Sequence, residues 1–225
     1  MSLRRLLGRA AEKSPSPAPA DRVVADFHRL YYDSQVWTET YWLGVHAFKC
    51  PLDLWVYQEL VHEGRPDVIV ETGTMNGGSA LYLASICDLL DRGRVITVDI
   101  DHRADRPRHP RITYLEGRSS TDPGVLQEIG AAIGPGEKVM VILDSDHSRD
   151  HVLAELRAYG DLVSSGLYLV VEDSNVNGHP VVPEFGPGPY EAITEFLAGE
   201  PGFSVDRSRE KFRMTFNPRG YLKKL

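Results

Sequence analysis

The sequence predicts one doubly wound α/β domain, with a mostly parallel sheet and helices on both faces. Three observations predict it. From residue 66 onward, short β-branched runs alternate with stretches of helical periodicity, which is the pattern of βαβ units. The first run ends in a glycine-rich turn that leads straight into a helical stretch. Acidic residues recur at the ends of successive runs, where open α/β sheets carry their ligand chemistry.

The chain opens MSLRRLLGRAAEKSPSPAPA, with Leu3, Leu6 and Leu7 on one face before a Pro/Ala/Ser linker. Residues 1–20 are therefore expected to form a disordered or weakly helical tail, too short and broken in its apolar part for a secretory signal. Residues 21–225 make up the domain, as a helical lid segment over 21–63 and an α/β core over 64–225. The lid is rich in aromatics (Tyr31, Tyr32, Trp37, Tyr41, Trp42 and Phe48), which suit core packing as well as a pocket wall. Pro51 opens a helix over 51–63. Strands are expected at 67–71, 95–100, 112–117, 139–144 and 167–173, and crossover helices at 78–91, 122–132 and 148–164. After a helix over 189–198, residues 203–208 and 212–224 read as an antiparallel pair at a sheet edge.

Composition narrows the function. A net charge of −7 argues against a general nucleic-acid binder, which needs a surplus of lysine and arginine. The two cysteines, Cys50 and Cys87, lie far apart and indicate neither a zinc knuckle nor a disulfide, so a reducing, cytoplasmic setting fits. No apolar run approaches the ~18 residues of a membrane span.

The turn ETGTMNGGSA places Gly73, Thr74, Gly77 and Ser79 between a strand end and a helix start, where a ligand can touch the backbone. Its spacing is neither the dinucleotide fingerprint nor the P-loop. Glu71, just before it, would repel pyrophosphate but attract a ligand carrying ammonium and sulfonium charge, as S-adenosylmethionine does. Asp99 stands where such folds place the acid that bonds ribose hydroxyls, and Gly117 and Ser119 are placed to approach the adenine. The plainer alternatives are a structural turn at each glycine and a cap or ion pair at Asp99.

Asp144, Glu172 and Asp173 end the next two strands and should converge in one crevice. Crowded carboxylates repel unless a cation offsets them, and a hard, oxygen-liganded divalent ion such as Mg2+ is the simplest answer. Capping of the helix near residue 149 by Asp144, Asp146 or Ser148 is the competing reading, and one cap does not account for three acids. His147, three residues past Asp144, is the candidate general base, with His151 a weaker one and Asp146 an open possibility as ligand. Trp42, together with His179 and Tyr190 of the long Gly/Pro-rich loop, are candidate substrate contacts.

At WLGVHAFKCPLDLWVYQE, VIVETGTMNGGSAL, VILDSDHS and VVEDSNVNGHPVVPEFGPGPYEA the chain resembles the cephalosporin hydroxylase and rhamnosyl O-methyltransferase family, from about Tyr32 to the C-terminus. The resemblance implies a Rossmann-like methyltransferase fold, a seven-stranded sheet ordered 3-2-1-4-5-7-6 with an antiparallel last strand. It also implies a metal-dependent enzyme of the class I, S-adenosylmethionine-dependent kind. Asp144 would serve both donor and Mg2+, Glu172 and Asp173 would complete the metal set, and His147 would act as base, as in the sugar-modifying members. The implied acceptor is a small-molecule or glycosylated natural product with a vicinal diol, such as a deoxysugar in antibiotic or surface-glycan biosynthesis. A homo-oligomer is the expected assembly. The rivals are an oxygenase-type hydroxylase, a non-catalytic partner subunit that keeps the fold, and, disfavoured by its missing glycine fingerprint, a dehydrogenase.

Overall fold

The computed structural model describes residues 19–225, so most of the expected tail lies outside the described residues. Helix α1 (Pro19–Asp33) leads through a 3-10 turn (Val36–Glu39) to a small hairpin, β1 (Tyr41–Trp42) and β2 (Val45–His46). Helix α2 (Pro51–Gly64) follows, with Pro51 in its first turn, where a missing N–H leaves no bond unmade.

The α/β core then runs β3 (Val68–Thr72), α3 (Gly78–Leu89), β4 (Arg94–Asp99), β5 (Ile112–Glu116), α4 (Pro123–Ala132), β6 (Val139–Leu143), α5 (Arg149–Tyr159), β7 (Tyr168–Val171), α6 (Pro189–Gly199), β8 (Phe203–Val205) and β9 (Tyr221–Lys224). The sheet order is β5-β4-β3-β6-β7-β9-β8, which in the sheet's own count is the expected 3-2-1-4-5-7-6. Strand β9 runs antiparallel to both its neighbours, β7 and β8, and the other pairs of this sheet are parallel. The central strands β3 and β6 are buried at every position, as a parallel sheet covered on both faces requires.

The order reverses between β3 and β6: the chain leaves β3 toward β4 on one side and returns through β6 on the other. Helices on opposite sides of that break leave a crevice at the strand ends.

Of the expected boundaries, two shift furthest. The strand expected over 212–224 begins only at Tyr221, because the Phe216 N–H donates to Asp53 Oδ2 (2.8 Å) of α2 instead of a ladder partner. The helix expected over 148–164 ends at Tyr159 and tightens into a 3-10 turn over Gly160–Leu162.

Candidate active site

The crevice is a cavity of about 780 Å³ at the carboxyl ends of β3, β4 and β6, walled on its far side by the chain between α1 and α2. That volume lies within the ~300–1,000 Å³ range of small-molecule sites.

One end is the glycine turn. Gly73 has a φ of +83°, and a Cβ there would overlap the Asp144 carbonyl, so only glycine lets β3 and β6 end this close together. Gly78 packs equally tightly on the His46 carbonyl of the hairpin. Gly73, Thr74, Ser79, Asp99 and Ser119 all reach the cavity wall. Asp99 is held by the N–H groups of Met75 (2.7 Å) and Asp101 (2.8 Å) and by the Arg106 guanidinium (2.9 Å). It is thus paired and still open to the cavity. Gly77 sits at the start of α3 with φ +79°, against Pro107 and Tyr114, and Gly117 forms its turn outside the wall.

Glu71 is fully buried. Thr97 donates to its Oε2 (2.7 Å), while Oε1 has no partner. Burial pushes this carboxyl up to about 6, against the opposing pull of Lys49.

At the other end stands the acid corner. Ligand atoms of Asp144, His147 and Asp173 lie within 4.8 Å of one another, and all three residues line the cavity. His147 Nε2 is 3.2 Å from Asp173 Oδ2. Asp173 adopts φ +51°, uncommon for a residue other than glycine, and this turn ends the strand alternation. Glu172 is consequently buried at 5% exposure beneath its neighbour, while Asp173 faces the cavity. The Asp173 N–H donates to Asn217 Oδ1 (3.2 Å), and Asp53 anchors that segment by accepting from Thr215, Phe216 N–H and Tyr221.

Between Asp144 and Glu172 lies a residue that sequence reasoning missed. Lys49, 3% exposed, pairs with Asp144 Oδ2 and, at 2.7 Å, with Glu172 Oε2. Burial acts to lower its ammonium, but the charges of Asp144, Glu172 and Glu71 outweigh that and raise it. Burial raises Asp144 and Glu172 in turn, with Lys49 opposing the rise in both. The available signal was charge balance, because converging acids demand a cation and Lys49 is the lysine just before the buried helix α2.

The donor set fits a divalent ion. Two cavity-lining carboxylates, Asp144 and Asp173, face one point beside the His147 imidazole, and Glu172 Oε1 is a buried carboxylate oxygen without a hydrogen-bond partner. Asp144 caps no helix; the residue before α5 is Ser148, whose N–H bonds Asp146 Oδ1 (2.7 Å). His151 lines the cavity but bonds Ser120 (3.2 Å) and Ser145 (3.1 Å) rather than the corner.

The three expected substrate contacts stand elsewhere. Trp42 donates to Ser85 Oγ (3.0 Å) and packs edge-on against Tyr82, because its hairpin lies on α3. His179 stacks on Tyr190 at 3.6 Å and bonds Glu191 (2.9 Å), so the loop closes on α6 rather than on the cavity. The aromatic wall is instead Tyr32, Trp37, His46 and Phe48. Tyr32 stacks on Trp37 (5.3 Å), His46 meets Phe48 (4.1 Å), and Trp37 Nε1 is satisfied by the Tyr32 carbonyl (3.0 Å). Burial and the nearby Asp173 charge raise the Tyr32 hydroxyl, which puts this wall beside the acid corner.

A family model described as Rhamnosyl O-methyltransferase/CmcI matches residues 34–225. The rhamnosyl O-methyltransferase of Mycobacterium bovis (strain BCG / Pasteur 1173P2) is 45% identical over 212 residues, covering 91% of this chain and 86% of the relative. That of Mycobacterium leprae (strain TN) is 42% identical over 211 residues, covering 91% of each. Among solved structures, a CmcI structure with Mg and SAM superposes at a TM-score of 0.65, with 22% identity, over 84% of this chain and 77% of that one. The O-methyltransferase from Bacillus cereus in complex with SAH gives 0.52 and 18% identity, over 82% and 87%. These structural likenesses speak to the fold.

Proposed function

This chain belongs to the Rhamnosyl O-methyltransferase/CmcI family, and on that footing we propose that it is a metal-dependent O-methyltransferase using S-adenosylmethionine to methylate a hydroxyl of a glycosyl or other natural-product acceptor. The observation that carries this reading is the acid corner of Asp144, His147 and Asp173 opening into the same cavity as the glycine turn and Asp99. A donor site and a cation site face each other across one space.

Gly73, Thr74, Ser79, Asp99 and Ser119 form the donor end, with the Asp99 carboxylate taking the ribose hydroxyls and the buried Glu71 giving the floor a negative field. Asp144 stands where the two ends meet. Asp144, Asp173 and Glu172 hold Mg2+, or another divalent cation, which when bound supplies Lewis acidity to the acceptor oxygen. His147 takes the proton of the acceptor hydroxyl, its ring turned by Asp173 at 3.2 Å. The aromatic wall of Tyr32, Trp37, His46 and Phe48 receives the apolar face of the acceptor ring, and holding that ring in line with the donor supplies much of the rate.

A rhamnosyl-like sugar is the acceptor the curated relatives' names suggest. Against the hydroxylase, the corner brings together one imidazole, whereas an iron site of the two-histidine kind needs a second, and His179 is committed to Tyr190 and Glu191. No described helix is long and apolar enough to cross a membrane. The unpaired, buried Cys50 and Cys87 support a cytoplasmic setting, and the exposed Val23, Phe27 and Leu30 of α1 support self-association.

The test is calorimetric titration of S-adenosylhomocysteine and of Mg2+, followed by mass analysis of rhamnosylated acceptors after incubation with S-adenosylmethionine. Donor binding, cation binding and a product gaining one methylene are expected. A product gaining one oxygen, or no product with any acceptor, would reject the reading.

A further inference from the structure

The ammonium of Lys49 does not line the cavity, yet it pins one oxygen of each of two carboxylates, Asp144 of the corner and Glu172 buried behind it. It pairs with Oδ2 of Asp144 and Oε2 of Glu172. The other oxygen of Glu172, Oε1, is buried without a hydrogen-bond partner, while the Tyr57 hydroxyl, which accepts from the Asn217 amide (2.9 Å), stands beside this carboxylate. A buried carboxylate oxygen without a partner is unfavourable and calls for a ligand. A carboxylate turns freely about its last bond unless its second oxygen is pinned, and groups that pin it are what orient metal ligands.

We propose that Lys49 is a positioning residue for the cation: by holding one oxygen of Asp144 and one of Glu172 it leaves the second oxygen of each free to serve a cation seated at the corner of Asp144, His147 and Asp173. The inference rests on the metal-dependent reading above. Lys49 is itself fixed for this task, because its N–H donates to Thr40 Oγ1 (3.0 Å) and its chain enters α2 through Cys50 and Pro51. Charge balance agrees. The carboxylates of Glu71, Asp144, Glu172 and Asp173 are matched by one lysine, one divalent ion and a donor of single net positive charge. A lysine that merely stood in for the metal would have the opposite consequence, since its removal would leave a more negative and more attractive corner.

The sign of the effect on metal affinity separates the two. Mg2+ is titrated into the full chain saturated with S-adenosylhomocysteine and without acceptor, for wild type, Lys49→Arg and Lys49→Met, with thermal unfolding of each. Lys49→Met should bind Mg2+ some 10–100-fold more weakly, as loss of an orienting partner does elsewhere, with Lys49→Arg in between. S-adenosylhomocysteine affinity should change less than Mg2+ affinity, because Lys49 does not line the cavity and acts on the donor end only through its charge on Glu71. A folded Lys49→Met that binds Mg2+ as tightly as wild type, or more tightly, overturns the proposal. Should Lys49→Met not fold, Lys49→Arg decides: the larger, planar guanidinium holds the two oxygens in a different geometry from the compact ammonium, and unchanged Mg2+ affinity overturns the proposal equally. Wild type that binds S-adenosylhomocysteine but no Mg2+ defeats the metal reading and this inference with it, an outcome distinct from either variant result.

Discussion

The two ends of the cavity are built from different kinds of chain. The end proposed for the donor is made of the tips of β3, β4 and β5 and the turns that leave them, so its groups sit close to the carboxyl ends of strands. The end proposed for the acceptor is made of Tyr32, Trp37, His46 and Phe48, brought together by a helix, a 3-10 turn and a two-residue-strand hairpin and backed by Phe216 from the far end of the chain. Rigid strand ends fix a ligand that does not vary. A wall assembled from loops and long-range packing is free to be resurfaced for a different acceptor without disturbing the first.

If that division holds, variants should split cleanly between chemistry, acceptor affinity and stability. The largest effect is expected at the shared boundary, where Asp144→Ala removes a cation ligand and should depress kcat by at least about a thousandfold, equivalent to ~4 kcal/mol. Turnover measured across Mg2+ concentrations checks it, and the variant should no longer respond to Mg2+. Next, His147→Ala should lower kcat by roughly 10²–10⁴-fold, the usual range for a lost general base, while calorimetry shows S-adenosylhomocysteine binding intact. Loss of donor binding in this variant would blur the division.

Smaller and confined to one end, Trp37→Ala or Phe48→Leu should raise the KM for a glycosylated acceptor about tenfold, an aromatic contact's worth of ~1.4 kcal/mol, and leave the donor KM unchanged. A parallel rise in both would show that the ends are not independent.

The smallest effect concerns the scaffold behind Asp173. Burial raises the Asp53 carboxyl to about 6, against the hydrogen bonds that favour its charged form. A carboxyl raised above its unfolded value of ~3.9 binds its proton more tightly when folded. Its contribution is therefore fully present below pH ~4 and is lost as pH rises through about 6. Asp53→Asn should flatten that part of the stability profile, seen as a Tm difference of a few degrees between mildly acid and neutral buffer.

The same contrast explains what could be read from residues alone. The sheet was legible because burial on both faces forces runs such as VIVET and VMVIL, and the glycine turn because close approach at Gly73 leaves no alternative residue. Asp99 and Asp144 were legible as donor-end candidates by position, one at a strand end and one directly after a strand. The proposed acceptor wall was legible only in part: Tyr32, Trp37 and Phe48 stand in the aromatic lid segment that suits a pocket wall, while nothing local marks His46. Trp42, His179 and Tyr190 were chosen for residue type and loop membership, but which aromatic faces a cavity depends on where a hairpin and a loop dock, and Ser85, Glu191 and the Tyr190 ring decide that over distances no local pattern encodes. Lys49 escaped for a related reason: its meaning lies entirely in Asp144 and Glu172, about a hundred residues downstream.

The central claim is that a donor and a cation meet one acceptor hydroxyl in this single cavity. Mass-resolved turnover of a rhamnosylated acceptor, run with S-adenosylmethionine in the presence of Mg2+ and again after chelation, tests it most directly. The account predicts a product heavier by one methylene that forms with Mg2+ and disappears with the chelator. Methylation that proceeds equally well in both, or a product heavier by one oxygen, would contradict it.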